Sequence, residues 1–214
     1  MKSSAKTATR RIPNLSKTEI SMLDATAGNR NIWHNKEHPN ILWIDIEPEL
    51  EVPPDRLMDC RETDFSDNQL IAIFFDPPHW YGDNIGGHRF TIRNEEDRKQ
   101  FLPEWKGGLC YYGTDKYKTK SSLLGFLHKA QKEFHRILRD DGFLWMKWNE
   151  TQIELRAVLP LFRDWKEMLR LHVKSPLQTN SDTRTYWLMF MKNPITTRIM
   201  DLSDIPSNKG KEDP

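Results

Sequence analysis

The stretch Phe74-Phe75-Asp76-Pro77-Pro78-His79-Trp80 follows an apolar run that begins at Leu70. The run predicts a buried strand over residues 70–75, and two prolines end it by fixing φ and removing backbone donors. Asp76 is therefore expected at the carboxyl end of a parallel strand, the edge at which open α/β sheets bind ligands. A carboxylate, free carbonyls and an aromatic ring suit a planar heterocycle with an exocyclic amino group. The same residues also fit a plain strand-ending turn.

Three segments upstream strengthen the functional interpretation. Residues 21–24 end a short apolar strand, and the small residues Ala25-Thr26-Ala27-Gly28-Asn29 follow, which predicts a strand, a loop and then a helix. Residues 41–45 predict a second strand that ends in Asp45, at about the spacing that places a carboxylate on a ribose. Asp59, in Leu57-Met58-Asp59-Cys60, is expected to end a third strand. An ordered set of strand-terminal acids is hard to explain as solvated loop ends.

These residues resemble a known family. The segments Leu23-Asp24-Ala25-Thr26-Ala27-Gly28, Ile44-Asp45, Met58-Asp59 and Asp76-Pro77-Pro78-His79 are similar to motifs I to IV of class I S-adenosylmethionine-dependent methyltransferases. Within that class the chain resembles enzymes that methylate amino groups, especially small DNA-methylase-like proteins of phages and prophages. Those proteins also carry a sequence like Lys147-Trp148-Asn149-Glu150. The resemblance covers residues 20–194.

The resemblance implies a doubly wound, Rossmann-like α/β sheet, mostly parallel, with one antiparallel strand near the C-terminus. It implies S-adenosyl-L-methionine as the cofactor and no metal. The catalytic residues that it implies are Asp76, Pro77, Pro78 and His79. Those for the cofactor are Asp24, Ala25, Thr26, Ala27, Gly28, Asn29, Asp45, Ile46, Asp59, Cys60 and Asp76. Those expected to contact the substrate are Trp80, Tyr81, Arg89, Tyr112, Lys147, Asn149 and Glu150.

The chain departs from the family pattern at two positions. Arg30 stands where motif I usually has a second glycine, which restricts the loop at positive φ and is expected to place a cation near the cofactor. His79 replaces the usual aromatic residue of the catalytic motif. Stacking on a base would then fall to His79 or to Trp80.

The remaining periodicity suits one domain over residues 20–194. Ser121 or Ser122 is predicted to cap a helix that residues 140–142 stop, and residues 143–148 predict the next strand. Thr151 and Glu154 suggest a capping box for a further helix, interrupted by Pro160. Residues 169–173 and 186–191 predict two final strands.

The long segment 81–120 lacks clear periodicity and is expected to be a substrate-binding loop or lid. It mixes cations such as Arg89 with aromatic residues such as Tyr112, a combination that suits a nucleic-acid groove. A solvated, partly helical surface is the alternative, since acids that include Glu95, Glu96, Asp97 and Glu104 dilute its charge.

The composition excludes several classes of protein. A net charge of +1 argues against a strongly basic nucleic-acid coat, and two cysteines are too few for a disulfide framework. No apolar run reaches the length of a membrane span, so no membrane partner is expected. Residues 1–19 form a basic arm, expected to be flexible and not a mitochondrial targeting segment, and residues 195–214 form a polar tail. We expect a cytoplasmic protein, consistent with a phage or prophage origin.

The sequence thus favours transfer of a methyl group to DNA, at adenine N6 or cytosine N4. RNA base methylation, at adenine N6 or guanine N2, stays open, as does a non-catalytic cofactor-binding subunit. A small-molecule or protein methyltransferase is a further alternative. The oligomeric state does not follow from the sequence.

Overall fold

The computed structural model describes residues 20–48, 50–82, 117–173 and 184–193. The strands are β1 (Met22–Asp24), β2 (Ile41–Asp45), β3 (Arg56–Leu57), β4 (Leu70–Phe75), β5 (Leu138–Asn149), β6 (Trp165–Val173) and β7 (Thr185–Lys192). The helices are α1 (Lys120–Ile137), α2 (Leu155–Val158) and a 3₁₀ helix (Leu159–Phe162).

All seven strands form one sheet in the order β3-β2-β1-β4-β5-β7-β6. Strands β1 to β5 pair in parallel, and β7 runs antiparallel to both of its neighbours. The chain runs outward from β1 to β3 and returns to β4 on the other side of β1. Strands β1 and β4 therefore flank the switch point at which open α/β sheets bind ligands. The predicted fold class, a Rossmann-like α/β sheet with one antiparallel strand, is confirmed.

Helix α1 builds the larger core against one face of the sheet. Its apolar positions recur at helical spacing, and those that are buried include Phe126, Leu127 and Phe134. The helix begins two or three residues earlier than predicted, because Thr119 is the N-cap. Ser122 completes a capping box with it.

The predicted stop of this helix at residues 140–142 is wrong. The chain leaves the helix at Leu138, which already has an extended backbone, and enters β5 directly. Leu138 pairs with Leu70 of β4, and a register shift follows before Ala72. Pairing with β4 therefore decides the boundary, and Gly142 lies inside the strand.

Two other local predictions are wrong. Residues 25–40 between β1 and β2 form turns rather than a helix. Thr151 and Glu154 form no capping box, since α2 begins at Leu155 and Glu154 makes no capping hydrogen bond with its side chain. The Glu150 carboxylate accepts from the Leu155 N–H instead, at 2.7 Å.

The turns between β1 and β2 cover part of the second face of the sheet. Trp43 of β2 is buried there with Ala27 and Ile41, and Trp33 packs against this group. The Trp33 ring also meets the Phe74 ring edge-on, with 4.6 Å between centroids. Trp33 thus packs on this face of the sheet, where a helix was expected. None of the helices in the described ranges is long and apolar enough to cross a membrane.

We predict opposite effects for alanine at two glycines. A Cβ on Gly142 would lie 2.8 Å from Leu138 Cδ1 and 2.9 Å from the Ile71 carbonyl oxygen, whereas one on Gly125 of α1 meets nothing within 4 Å. Gly142→Ala should lower the free energy of unfolding by about 1–3 kcal/mol. Gly125→Ala should raise it by about 0.5–1 kcal/mol. Urea denaturation measures both, and equal effects at the two positions would contradict the packing described here.

Candidate active site

Two turns that lie fifty residues apart in the sequence meet at the carboxyl edge of the sheet. In the β1–β4 register Asp24 is the partner of Phe74. The Ala25 N–H then donates to the Phe74 carbonyl at 2.8 Å. The Asp76 N–H donates to the Thr26 hydroxyl, also at 2.8 Å. The loop after β1 and the diproline turn after β4 are therefore held side by side.

The loop is also tied to the end of β2. The Ala27 N–H donates to the Ile44 carbonyl at 3.0 Å, and the Gly28 N–H donates to Asp45 Oδ2 at 2.9 Å. Gly28 has a φ of +48°, the left-handed region that glycine adopts without strain. Asp45 Oδ1 accepts from the Glu47 N–H at 2.9 Å. One carboxylate thus fixes both the loop and the turn that follows β2.

Arg30 does not place its charge where the sequence suggested. Its backbone has a φ of 55°, so it adopts the conformation expected of the glycine that it replaces. Its buried guanidinium donates to the carbonyls of Lys36 and Pro53, pairs with Asp55 at 3.0 Å and lies over the Trp43 ring. The expectation of a cation beside the cofactor is therefore wrong, because Arg30 ties loops together behind the site.

Asp24 is fully buried under the loop. Its carboxylate accepts from the Trp33 indole N–H at 2.5 Å and from the Thr26 N–H at 3.2 Å. Burial raises the pKa of the Asp24 carboxyl from 3.8 to about 7, against the opposing effect of these hydrogen bonds. The neighbouring acids Asp76 and Asp45 add to the rise.

A cleft opens above the ends of β1, β2 and β4 and encloses about 640 Å³ of empty space, part of it open to solvent. The structure brings together on its wall most of the residues predicted for the cofactor. These are Ala25, Thr26, Gly28, Asp45, Ile46, Asp59, Cys60 and Asp76. The other three, Asp24, Ala27 and Asn29, are not among the lining residues: Asp24 lies beneath the loop, Ala27 packs with Trp43, and Asn29 accepts from the Val52 N–H.

Five further lining residues were missed by the sequence analysis: Glu47, Leu50, Met58, Tyr117 and Phe126. Phe126 belongs to the buried face of α1, and its ring packs against Tyr117 at 5.0 Å and closes one wall. Position after a strand was the signal available for Glu47 and Met58. Nothing local distinguishes Tyr117, which is separated from the diproline turn by the whole segment 83–116.

Asp59 has a strong partner of its own. The Arg61 guanidinium donates to both of its carboxylate oxygens, with Nε 2.9 Å from Oδ1 and Nη2 2.5 Å from Oδ2. These hydrogen bonds from Arg61 lower the pKa of the Asp59 carboxyl below its usual value. Asp59 is therefore a fixed anion at the far end of the cleft from Asp76.

Asp76 forms an ion pair with Lys147 of β5, with 2.8 Å between Oδ2 and Nζ. Burial raises the pKa of the Asp76 carboxyl, and the lysine opposes that rise. The neighbouring His79 is held neutral at pH 7, because burial and the Lys147 charge lower the pKa of its imidazole to about 4. The Pro77 carbonyl accepts a hydrogen bond from the His79 side chain.

Several of the other residues predicted to contact the substrate make structural contacts within the fold. Trp80 is buried, with its ring edge-on to His79 at 5.6 Å. The Tyr81 N–H donates to Gln152 Oε1 at 2.7 Å. Asn149 is buried, donates to the Thr185 hydroxyl and caps the next turn through Thr151. Structural contacts thus occupy Trp80, Asn149 and Glu150. Lys147, by contrast, lies beside Asp76. Arg89 and Tyr112 lie outside the described residues.

The two described ends of the 81–120 segment meet at the cleft. The Gly82 N–H donates to the Tyr117 carbonyl at 2.8 Å, and Tyr117 lines the cleft. The predicted substrate loop therefore leaves and rejoins the fold beside the diproline turn. In the ranges that the structure describes, no group of three or more His, Cys, Asp or Glu side chains could hold a metal ion.

No protein-family model matches the sequence, and a search of curated proteins finds no match. Solved structures with a similar fold include geranyl diphosphate C-methyltransferase from Streptomyces coelicolor A3(2), in complex with Mg²⁺, geranyl diphosphate and S-adenosyl-L-homocysteine. It is 10% identical, with 82% of this chain and 74% of that chain covered and a TM-score of 0.46.

Two others are 1,6-didemethyltoxoflavin-N1-methyltransferase from Burkholderia thailandensis and an rRNA methylase from Streptococcus thermophilus. The first is 12% identical, covering 81% of this chain and 71% of its own, with a TM-score of 0.46. The second is 14% identical, covering 82% and 91%, with a TM-score of 0.40. At these identities the fold assignment rests on the strand order of the sheet itself.

Removal of the Arg30 guanidinium should destabilise the fold strongly. Arg30→Met leaves Asp55, whose side chain is 15% exposed, without its partner, and we expect a loss of about 2–4 kcal/mol in the free energy of unfolding. The matched control is Arg56→Met, whose ion pair with Asp64 is 3.4 Å long and 33% and 49% exposed. That change should cost less than about 1 kcal/mol. Equal losses in urea denaturation would refute the structural role of Arg30.

Asp24 should make stability depend on pH. Because its pKa is near 7 in the fold and 3.8 otherwise, the native state binds the extra proton between these values. Stability contributed by protonated Asp24 is full below pH 4 and falls by a few kcal/mol as pH rises through 7. Asp24→Asn should remove the part of the pH dependence of stability that Asp24 contributes, even if the substitution lowers the free energy of unfolding by a constant amount at every pH. Denaturation of both proteins at pH 5, 6, 7 and 8 measures the difference, and identical slopes would show that Asp24 does not titrate there.

Proposed function

We propose that the protein is an S-adenosylmethionine-dependent methyltransferase that acts on an exocyclic amino nitrogen of a nucleobase, with DNA adenine N6 or cytosine N4 favoured. The observation that carries the proposal is the hydrogen bond from the Asp76 N–H to the Thr26 hydroxyl. It joins the diproline turn to the loop after β1, and residues of both turns line one cleft. A donor and an acceptor bound there would be neighbours.

The cleft suits the proposed cofactor along its length. Asp45 ends β2, where a carboxylate can accept from ribose hydroxyls. Phe126, Leu50 and Met58 supply apolar walls for the adenine ring, and Asp59 offers an acceptor beside them. The acid at the other end, Asp76, lies where a positively charged sulfonium would be stabilised. The resemblance to motifs I to IV gives the same assignment.

The chemistry that a bound S-adenosylmethionine supplies is a methyl group on a sulfonium, open to attack by a nitrogen lone pair. The protein's part is to position the amine and to localise that lone pair. Asp76 would accept one amino N–H through Oδ1, because Oδ2 bonds Lys147. The Pro77 carbonyl already accepts from His79 and has a second lone pair for the other amino proton.

The ring that stacks on the target base would be His79 rather than Trp80. Trp80 is buried, whereas His79 is partly exposed beside the diproline turn. A neutral imidazole suits an uncharged base, and the low pKa of His79 keeps it neutral at pH 7. A base in a duplex would have to leave the stack to reach this ring, so single-stranded or flipped bases are the expected substrates.

A mixed-charge groove near the site supports a polymeric substrate. It lies at the end of β5 and the start of β7 and is lined by Arg156, Arg170, Arg184 and Tyr186, together with Glu150 and Glu154. Arginines and an aromatic ring at this edge are suited to phosphates and to an unstacked base. RNA is the second candidate substrate, since the same contacts serve either polymer.

A non-catalytic cofactor-binding subunit is the second candidate function. The observation in its favour is that both acceptors proposed for the amine already have partners: Lys147 on Asp76 and His79 on Pro77. Such a protein would bind S-adenosylmethionine without turnover.

The test is methyl transfer from tritium-labelled S-adenosylmethionine to mixed DNA and RNA, with the product nucleosides identified by mass. Asp76→Ala should lose roughly 10²- to 10³-fold in rate at saturating cofactor, because the amine loses its main acceptor. Asp76→Asn keeps an acceptor oxygen and should retain more activity than the alanine variant.

The matched control is Asp141→Ala, an exposed acid near the opposite end of the sheet that pairs only with Arg139 in the described structure. It should transfer label like the parent. Equal rates for Asp76→Ala and the parent would refute the role of Asp76. Calorimetric binding of S-adenosylmethionine with no transfer to either polymer would favour the non-catalytic subunit.

A further inference from the structure

Lys147 is placed next to Asp76 by the sheet itself. Phe75 of β4 pairs with Met146 of β5, so the residues that follow them, Asp76 and Lys147, are neighbours across adjacent strands. Parallel strands lie about 4.8 Å apart, close enough for the ammonium to reach the carboxylate at 2.8 Å without leaving the strand. The register of β4 and β5 therefore places the two side chains together.

Both members of this pair remain open to a ligand. Their side chains are 32% and 25% exposed, and the ion pair is their only side-chain hydrogen bond in the described ranges. An ammonium has three protons and a carboxylate two oxygens, so the contact between Nζ and Oδ2 leaves donors on one and an acceptor on the other. The two side chains together thus present a donor beside an acceptor.

We propose that Lys147 and Asp76 together bind the edge of the target base. This inference rests on the proposed function. Asp76 accepts from the amino group, and Lys147 donates to the unprotonated ring nitrogen next to it. Adenine offers that pattern at N6 and N1, and cytosine offers it at N4 and N3. Lys147 is then a specificity-determining residue that touches the substrate.

The contact also decides which nitrogen is methylated. The ring nitrogen has an unconjugated lone pair and is the better nucleophile in free adenine or cytosine. A hydrogen bond from Lys147 engages that lone pair and leaves the amino nitrogen to react. The amino lone pair then forms the N–C bond, the C–S bond breaks with its electrons going to sulfur, and Asp76 takes the proton that the nitrogen loses.

Guanine does not fit this pair through its Watson–Crick edge. Beside the N2 amino group it presents N1–H, which is a donor and would face the Lys147 ammonium. Two opposed donors leave a desolvated polar group without a partner, which rejects a ligand more strongly than a missing contact does. Among the bases left open by the sequence, the pair therefore selects adenine and cytosine over guanine N2 for ligands that bind through their Watson–Crick edge.

The test removes the ring-nitrogen acceptor from the base and, separately, the ammonium donor from the protein. Single-stranded oligonucleotides carry one adenine or one 1-deazaadenine, and a parallel set carries one cytosine or one 3-deazacytosine. For the base that the parent methylates, the rate ratio of the natural base to its deaza analogue should be about 10- to 100-fold larger in the parent than in Lys147→Met, which is the range expected for one charge-assisted hydrogen bond. Lys147→Met should also place part of the label on the ring nitrogen.

Lys166→Met is the matched control, because Lys166 is exposed near the start of the outer strand β6, away from the carboxyl end of β5 where Lys147 lies. It should keep the ratio of the parent. An unchanged ratio in Lys147→Met, with label only on the amino nitrogen, overturns the inference and leaves the methyl transfer standing. Label on guanine N2 alone overturns it as well. No transfer by the parent to any base refutes the proposed function, and this inference with it.

Discussion

The Thr26 hydroxyl holds the two halves of the site together. It accepts from the Asp76 N–H at 2.8 Å, while the Ala25 N–H donates to the Phe74 carbonyl. The Asp76 N–H survives as a donor because proline begins only at the next residue, so the turn keeps one backbone group with which to bind its neighbour. This contact fixes the diproline turn against the loop after β1, and residues of both line the same cleft.

Much of the sheet follows from the sequence because four apolar runs end in acids. The positions of β2 and β4, the burial of β2 and the carboxyl-edge position of Asp45 and Asp76 needed only hydrophobic runs and strand-breaking residues, whereas β4 is only partly buried and Ile71 is exposed. The helix between β1 and β2 was predicted from the usual βαβ pattern, yet residues 25–40 are turns. Trp33 accounts for part of the difference, since its ring packs on Phe74 and Trp43 and covers part of that face without a helix.

The site was harder to predict than the sheet, because its contacts depend on register and on distant segments. The sequence predicts a cation near the cofactor at Arg30, but the partners of its guanidinium, Asp55 and Pro53, come more than twenty residues later. Lys147 was singled out by resemblance, and only the pairing of Phe75 with Met146 brings it to Asp76. Tyr117 belongs to the segment predicted as a substrate-binding loop, and nothing local predicts its position on the wall of the cleft. Local sequence propensity does not predict these contacts. The alternation of side chains along a strand predicts which face of the sheet a residue lies on, but not which residue of the neighbouring strand it meets.

The charge of the site follows from how its acids are partnered. Asp59 is held by Arg61 and Asp76 by Lys147, so each of these carboxylates is largely neutralised. Asp45 receives two backbone N–H groups, and Asp24 titrates near neutral pH. A sulfonium entering the cleft would add one positive charge close to Asp24 and Asp76, and that charge lowers the pKa of both carboxyls. Binding of the proposed cofactor would therefore favour the ionised form of Asp76, the form that can accept from an amine. For this reason the raised pKa of the Asp76 carboxyl is compatible with its role as an acceptor in the proposed reaction.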